Sequence, residues 1–553
     1  MIVISCVFFS LSAYATEDEL EDALLAYESG DLETALAIYV DLSNGGNVEA
    51  QVRLAVMYDN GEGVEENVVQ ASRLFALAAE AGNAEALVAM GDRFFSGLDG
   101  IPDTEEAYRL FQQAADQGYA PAQVKLGNMY FNGQGVDQSI EEAISYYSVA
   151  AEQGDEQALV ALGNLYVTGQ GVEPNLNEAL RLYQQAADRG YAPAQVNLGN
   201  QYYIGQSVAQ NFNIAIELYE LAAEQDYAPA EVFLGNIYLE GTVVTQDYQL
   251  ARSFFTAAAD KSDQDAIFML GYLFEYGLGV DKNFEQALKF YERAADFGSA
   301  QAQYILGVKY DTGEGFSQNS TIAASLYQLA AQQSFTQAQV ALANKLYLGV
   351  GVPQNFDEAA RYFRLAADQK NPEAQTNLAI MYTRGEGVNQ DIQEAISLYL
   401  QAADQNYSQA FMNLAWLYAN GLGVEQDHNE TIRYYRLAAA QNDTQAMVNL
   451  GNMYFNGEGV DIDYARAVSF FMSAAKLGFA TAQANLAPMY VNGFGVPESS
   501  LSSAYMWAWL GAEQDNEQAE IYVQALEQEL SSDEIEAAKA SARVCAFSNF
   551  SKC

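Results

Sequence analysis

Small residues recur along this chain at a constant spacing of 36 residues, and apolar residues follow them at helical intervals. An alanine stands at the same place in thirteen consecutive segments, with no insertion or deletion between the first and the last. These alanines are Ala50, Ala86, Ala122, Ala158, Ala194, Ala230, Ala266, Ala302, Ala338, Ala374, Ala410, Ala446 and Ala482. A fixed period of this length indicates one small supersecondary unit stacked many times, rather than a single globular core.

Residues 120–155 show how one unit is built. Ala122, Leu126 and Tyr130 are four residues apart, which places them on one face of a helix, here called helix A. Helix A is predicted to end at Gly133, since glycine adopts the left-handed conformation that closes many helices at little cost. A second helix, helix B, is predicted in the rest of the unit, where an aromatic pair and two alanines stand at helical spacing. Each unit is therefore predicted to be an antiparallel helical hairpin.

The glycine that ends helix A is present in all thirteen units, from Gly61 to Gly493. A second glycine follows two residues later in ten units, and the exceptions are Asp99, Ser207 and Val243. Glycine-rich loops bind phosphate when a strand precedes them or a lysine of the Walker type follows. A helix precedes these glycines and acidic residues surround them, so nucleotide binding is not expected.

The consensus A-x-A-Q-x-x-L-G-x-M-Y-x-x-G-x-G-V, followed by an alanine, an aromatic pair and A-A-x-Q-G, resembles the Sel1-like repeat, a relative of the tetratricopeptide repeat. The resemblance covers residues 49–515 as thirteen repeats. It implies an all-α fold, a right-handed superhelical solenoid of helix-turn-helix repeats with a period of 36 residues. It also implies a partial first repeat at residues 16–48 and capping helices at residues 516–553. Ser531 and Glu534 match a capping box for the last helix.

The charge of the chain limits its partners. The 553 residues include 73 acidic and 25 basic side chains, which gives a formal net charge of -48. Nucleic acids and anionic lipid surfaces are bound through lysine and arginine that neutralise phosphate, so neither is expected as a partner. The simplest role of the charge is solubility, and it leaves basic protein patches and dissolved cations as partners that the charge would attract.

The first residues of the chain have the features of an export signal. Residues 1–15 contain no charge and are mostly apolar, and Ala13-Tyr14-Ala15 has the small-x-small form of a signal-peptidase site. We therefore predict a signal peptide cleaved after Ala15 and an exported, periplasmic protein. The segment is shorter than the roughly 20 residues of a membrane-spanning helix, so no stable span is expected. A lipoprotein site at Cys6 is the less favoured alternative, because the apolar run follows this cysteine instead of preceding it.

Few residues could support covalent chemistry. Removal of the signal leaves Cys545 and Cys553, which predict a disulfide in an exported protein, with two unpaired thiols as the alternative. The single histidine, His428, is expected in a surface loop between helices A and B, so a histidine-activated nucleophile or a multi-histidine zinc site is not expected. We predict no catalytic residue, no metal site and no cofactor.

The same periodicity indicates where a ligand would lie. Counted from the alanine as position 0, positions 0, 4 and 8 form the buried side of helix A, and positions 2, 6 and 9 point roughly the opposite way, towards the concave surface. The candidate groove residues are Asn128, Asn164, Asn200 and Asn236 at position 6, with Phe95, Phe131 and Tyr203 at position 9. The alternative is that the valines common at position 2 and the aromatic residues at position 9 only pack helix A against the next helix A. The groove is expected to weaken after Asn236, where position 6 is often apolar: Tyr272, Val308, Ile380 and Trp416.

An asparagine amide can pair with both the N–H and the C=O of an extended backbone, and aromatic residues can hold side chains. Related tetratricopeptide repeats use helix A asparagines in this way, which the resemblance extends to this face. We predict a monomeric, non-catalytic scaffold in the bacterial envelope that binds proteins or extended peptides. Peptidoglycan or another cell-wall polymer is the alternative ligand, and a cell-wall enzyme is the alternative class.

Overall fold

The computed structural model describes residues 18–98 and 100–548. Every regular element in these residues is an α-helix, and no strand occurs among them. The predicted signal peptide with Cys6 lies outside the described residues, as does Cys553. Cleavage after Ala15, lipidation and the disulfide therefore stay predictions.

The helices follow one another in pairs joined by short loops. They are α1 (residues 18–28), α2 (Leu32–Asn44), α3 (Val48–Asn60), α4 (Val68–Glu80), α5 (Ala84–Ser96), α6 (Thr104–Ala115), α7 (Ala120–Asn132), α8 (Ile140–Glu152), α9 (Glu156–Thr168), α10 (Leu176–Ala187), α11 (Ala192–Ile204), α12 (Phe212–Ala223), α13 (Ala228–Glu240), α14 (Tyr248–Asp260), α15 (Gln264–Tyr276), α16 (Phe284–Asp296), α17 (Ala300–Thr312), α18 (Ser320–Gln332), α19 (Thr336–Leu348), α20 (Phe356–Asp368), α21 (Pro372–Arg384), α22 (Ile392–Asp404), α23 (Ser408–Asn420), α24 (His428–Ala439), α25 (Thr444–Asn456), α26 (Tyr464–Lys476), α27 (Ala480–Asn492), α28 (Leu501–Ala512), α29 (Glu517–Leu526) and α30 (Ser532–Phe547). Repeats 1 to 13 use the odd-numbered helices α3 to α27 as helix A and the even-numbered helices α4 to α28 as helix B. The predicted fold of thirteen stacked helical hairpins is confirmed.

The helix ends follow from local sequence. Each helix A ends at the predicted glycine, which is left-handed in all thirteen repeats with φ between 66° and 79°. Most helices begin after an asparagine, aspartate or serine whose side chain accepts a backbone N–H, as Asn175 does from Glu178. His428 is the first residue of α24 and is half-buried, so the expectation that it lies in the loop is wrong by one residue. Asp427, just before it, caps this helix.

The second glycine of each loop marks a contact between repeats. A Cβ added at Gly351 or Gly387 would overlap the backbone at the first residue of helix B in the preceding repeat, Ser320 or Phe356. The loop of one repeat therefore lies directly on the start of the previous helix B. This close approach, together with a positive φ, explains why glycine is used there in ten repeats.

The core of each hairpin is formed by the small residues of helix A and one large aromatic ring of helix B. The alanine at position 0 is fully buried in all thirteen repeats. In repeat 3, a Cβ added at Gly127 would lie 2.5 Å from Cε1 of Tyr147, so the missing side chain makes room for the ring. Small residues at positions 0 and 5 thus let helices A and B approach each other.

The chain forms two compact units. Unit 1 reaches Leu273 and includes Gly277–Asp281, whereas unit 2 takes Phe274–Tyr276 and the chain from Lys282 onward. Within each unit, consecutive helices pack against one another. Near the end of the chain, α28 contacts both α29 and α30, and the predicted capping box between Ser531 and Glu534 is present.

Candidate functional site

Three of the predicted asparagines are held by tyrosines of helix B in the same repeat. The tyrosine hydroxyl donates to the asparagine Oδ1 at 2.7 Å in each pair: Tyr147–Asn128, Tyr183–Asn164 and Tyr219–Asn200. The rings are buried, and burial raises the pKa of Tyr147 and of Tyr183 to about 12. Each phenol therefore keeps its proton at neutral pH and remains a donor.

These bonds fix which end of the amide faces outward. The Oδ1 atom of Asn164 also accepts a 3.4 Å hydrogen bond from Asn197 Nδ2 in the next repeat. Asn128 and Asn164 are exposed and Asn200 is half-buried, and within the described chain no Nδ2 group of the three has a hydrogen-bond partner. The sequence analysis expected each amide to offer both a donor and an acceptor to a ligand. In the structure a tyrosine already occupies each Oδ1 atom, so the three amides present a row of Nδ2 donors.

The fourth candidate, Asn236, has a different neighbour. Nineteen residues further on, helix B of its repeat has Phe255 where the preceding three repeats have tyrosine, so no phenol holds this half-buried amide. Phe363 and Phe471 stand at the same place opposite Asn344 and Asn452. Of the four candidate asparagines, three are therefore hydrogen-bonded to a tyrosine of helix B, and Asn236 is not.

We expect Tyr183→Phe to lower the free energy of local unfolding of repeat 4 by about 1 kcal/mol, since one net hydrogen bond is removed. The ring itself should fit, because phenylalanine is native at this place in five other repeats. Hydrogen exchange of α9 and α10 measures the change. The reverse variant Phe255→Tyr is the control and should cost nothing, and a loss above about 3 kcal/mol in Tyr183→Phe would mean that the ring packing, not the bond, was disturbed.

The candidate aromatic residues at position 9 lie at the base of the helix A surface. Phe95 and Phe131 are half-buried and pack against buried clusters of their own regions. Tyr203 meets Phe212, the first residue of α12, edge to face with ring centroids 5.2 Å apart. These contacts favour the packing alternative for position 9, and such rings offer only one edge to a ligand.

Position 9 also pairs with position 7 of the following repeat. Three repeats have an acidic residue at position 9, and each is followed by a buried cation at position 7. The N–O distances are 2.5, 2.7 and 2.6 Å in the pairs Asp59–Arg93, Glu275–Lys309 and Asp311–Lys345. In every other pair of consecutive repeats, position 9 of the first and position 7 of the second are both uncharged. This pairing was not predicted, although the sequence shows that each acidic residue at position 9 is followed by a basic residue at position 7 of the next repeat.

Position 2 does not line the open face as expected. Val124 and Val196 are only 3% and 6% exposed, so the prediction is wrong for these two residues. The reason is that helix A in a stack is covered by neighbouring helices on both flanks, not on one side only. Side chains at positions 3 and 6 meet across the repeat boundary instead, as Lys125 and Asp92 do at 2.8 Å.

A buried row of glutamines at position 1 was also missed. Gln339 is 2% exposed, donates to the carbonyl of Ala331 at the end of the previous helix B, and accepts a 2.9 Å hydrogen bond from Gln369 at the end of its own helix B. The same arrangement occurs around Gln375, which pairs with Gln405. These bonds satisfy polar groups at helix ends inside the stack. The signal in the sequence was the glutamine that follows the buried alanine in the consensus.

Unit 2 has a groove along helices α19, α21 and α23, here called the repeat 9–11 groove. It consists of two adjoining cavities of about 800 and 260 Å³ that share Ile380 and Arg384. Trp416 and Asn413 line the wider cavity, and Tyr347 lines the narrower one. Trp416, which stands at position 6 in place of asparagine, is 48% exposed here, and the expectation that the asparagine groove weakens beyond Asn236 stays a prediction.

The profile of the Sel1 repeat family matches the chain in thirteen consecutive segments from residue 48 to residue 520. The chain belongs to the Sel1 repeat family. Twelve of these Sel1 repeats have 36 residues, and the last, residues 480–520, is longer. Sel1 repeat proteins mediate protein–protein interactions.

Solved structures of other Sel1 repeat proteins are similar to this chain. One is a protective antigen of uropathogenic Escherichia coli strains with an SLR fold, at 32% identity over 78% of this chain and 93% of that chain, with a TM-score of 0.56. Another is a Sel1 repeat protein from Oxalobacter formigenes, at 29% identity over 56% of this chain and 90% of that chain, with a TM-score of 0.40. The comparison with curated proteins gave no match.

Two further searches of the described residues bear on membranes and metals. No helix there combines the length and the apolar composition needed to cross a membrane. In the same part of the chain, no three or more His, Cys, Asp or Glu side chains are grouped so as to hold a metal ion.

Proposed function

We propose that this Sel1 repeat protein is a non-catalytic scaffold that binds other proteins through extended segments laid along the open face of its helices A. The observation that supports it is the row formed by Asn128, Asn164 and Asn200, whose amides are held in one orientation by buried tyrosines. Holding a side chain before binding reduces the entropy lost on binding. A pre-ordered row of donors suits a ligand with regularly spaced acceptors.

An extended polypeptide meets this requirement. Packed helices lie about 8–10 Å apart, and an extended chain advances about 3.3 Å per residue. In an extended chain of the polyproline II type, which has three residues per turn, every third backbone carbonyl would then face an asparagine Nδ2 group. Each contact is weak, and affinity comes from several adjacent repeats acting together.

We place this function in the bacterial envelope as part of the same proposal. It rests on the export signal expected at residues 1–15 and on cleavage after Ala15. The disulfide between Cys545 and Cys553 belongs to the same expectation, since the periplasm is oxidising. A monomer without nucleic acid or nucleotide partners fits the surface charge of -48.

Purified protein beginning at Thr16, applied to peptide and glycan arrays, tests the proposal. Binding of peptides that is lost in the double variant Asn164→Ala with Asn200→Ala supports it. Tyr203 is left intact in this variant, because its ring packs on Phe212 and its removal would disturb the fold. The matched control is Asn213→Ala with Asn429→Ala, at two exposed residues of helices B.

Three outcomes distinguish the alternatives. Peptide binding that survives in the asparagine double variant contradicts the use of this face. Binding to peptidoglycan fragments and not to peptides would replace the proposal with cell-wall recognition. Turnover of any arrayed cell-wall substrate would contradict the non-catalytic assignment.

A further inference from the structure

Arg384 occupies the centre of the repeat 9–11 groove. It is the one residue besides Ile380 that lines both cavities, and it is the only charged residue among their lining side chains. Its side chain is 58% exposed. The rest of the lining is uncharged, and the counter-ion of Arg384, Glu386, does not line either cavity.

One of the three repeats that form the groove also departs from the acidic average of the chain. Repeat 9, residues 336–371, is the only one of the thirteen repeats in which basic residues outnumber acidic ones. Its basic residues are Lys345, Arg361, Arg364 and Lys370, and its acidic residues are Asp357, Glu358 and Asp368. Repeat 9 therefore repels an anion least among the thirteen repeats, and charges elsewhere on the chain are screened beyond about 8 Å at physiological salt.

The guanidinium is positioned by its neighbours but keeps free donors. Arg384 Nη1 donates to the hydroxyl of Tyr347 at 2.9 Å, and that hydroxyl donates to Glu386 at 2.6 Å. Glu386 itself lies 3.8 Å from Arg384 Nη1, too far for a direct hydrogen bond. An arginine has five N–H donors, so this arrangement leaves capacity for a carboxylate from outside.

The wider cavity combines an apolar wall with an unused donor. Trp416 is 48% exposed and Leu422 is 39% exposed on this wall. The Nδ2 atom of Asn413, on the same wall, is buried and has no hydrogen-bond partner in the described residues. A buried unpaired amide donor is costly, and a ligand carbonyl at this place would satisfy it.

We propose that the repeat 9–11 groove binds an internal segment of an extended peptide in which an Asp or Glu side chain is followed or preceded by a large apolar residue. The carboxylate pairs with Arg384, the apolar side chain packs on Trp416 in the wider cavity, and a backbone carbonyl accepts from Asn413. This inference rests on the proposed function and names its preferred ligand. The carboxylate belongs to a side chain and not to a peptide terminus, because the groove continues on both sides of Arg384.

A library of random peptides, displayed with both ends joined to a carrier protein, is selected against the whole chain. The enriched sequences are expected to contain an acidic residue next to an aromatic or long aliphatic one. A synthetic peptide of this kind, blocked at both termini, is then titrated against the protein. We expect Arg384→Gln to weaken its binding at least about tenfold, as for a charge-assisted hydrogen bond. Trp416→Ala should weaken binding to a similar degree, since aromatic residues in pockets dominate peptide affinity.

The matched control is Arg361→Gln, an arginine of similar exposure on α20 that does not line the groove. A second control changes the peptide instead of the protein: replacing its Asp or Glu by the amide should weaken binding by the same factor as Arg384→Gln. This amide peptide should bind the Arg384→Gln variant no more weakly than it binds the native protein, because both changes remove the same interaction.

Enrichment without acidic residues, or equal effects of Arg384→Gln and Arg361→Gln, would overturn this inference while leaving peptide binding on helices A intact. Failure of the whole chain to enrich any peptide would instead count against the proposed function itself.

Discussion

Asp59→Ala is expected to lower the free energy of local unfolding of repeats 1 and 2 by about 3 kcal/mol, because it removes a carboxylate that pairs with a buried guanidinium. Arg93 is 6% exposed, and its Nη2 atom lies 2.5 Å from Asp59 Oδ1. Arg93 also donates a 2.9 Å hydrogen bond to Ser72 Oγ and lies over the face of Phe75, 4.9 Å from the ring centroid. Hydrogen exchange of α3 to α6 measures the loss of stability.

The chain itself offers the compensating variant. The next pair of repeats has Phe95 and Met129 at the places of Asp59 and Arg93. The double variant Asp59→Phe with Arg93→Met should therefore recover stability to within about 1 kcal/mol of the native chain, since a buried ion pair can be replaced by apolar residues of suitable volume. Asp41→Ala, at an exposed aspartate of α2, should change stability by less than about 0.5 kcal/mol. A double variant no more stable than Asp59→Ala would show that positions 7 and 9 are not a coupled pair.

Most of the fold could be predicted because each hairpin is specified by short-range sequence. The glycine after helix A, the capping residue before helix B and the buried alanine are each local signals, and thirteen copies make the phase of the helix certain. The capping box at Ser531 followed from the same local rules.

The candidate site was only partly predictable, because its geometry depends on contacts between residues far apart in sequence. Position 6 was identified from helical phase alone, but the bond from Tyr183 to Asn164 joins residues 19 positions apart and determines which amide atom faces outward. Helical phase alone also placed Val124 on the open face, whereas it is buried in the structure. A single amphipathic helix has one buried side, but a helix in a stack contacts neighbours on two flanks.

The repeat 9–11 groove could not be found from any one repeat. Its two cavities are lined mainly by side chains of three consecutive helices A, among them Leu348, Ile380 and Trp416. A consensus sequence does not show these residues, because each differs from the most common residue at its position in the repeat. In a repeat protein, the departures from the consensus are therefore the first places to examine for specificity.

Trp507→Ala is expected to lower the stability of the C-terminal end by about 3–5 kcal/mol, the range for a buried tryptophan reduced to alanine. Trp507 is 1% exposed on α28 and belongs to a buried cluster that includes Phe471 of repeat 12 and Cys545 of α30. Its ring therefore joins the last repeats to the closing helix. Since each hairpin is stabilised by its neighbours alone, hydrogen exchange should accelerate from α27 to α30 and stay unchanged in repeats 8 and 9. Trp416→Ala is the matched control: its ring is 48% exposed, so about 1 kcal/mol is expected. Faster exchange spread evenly over unit 2 after Trp507→Ala would mean that its repeats unfold together, and that the closing helices stabilise the whole stack rather than its end.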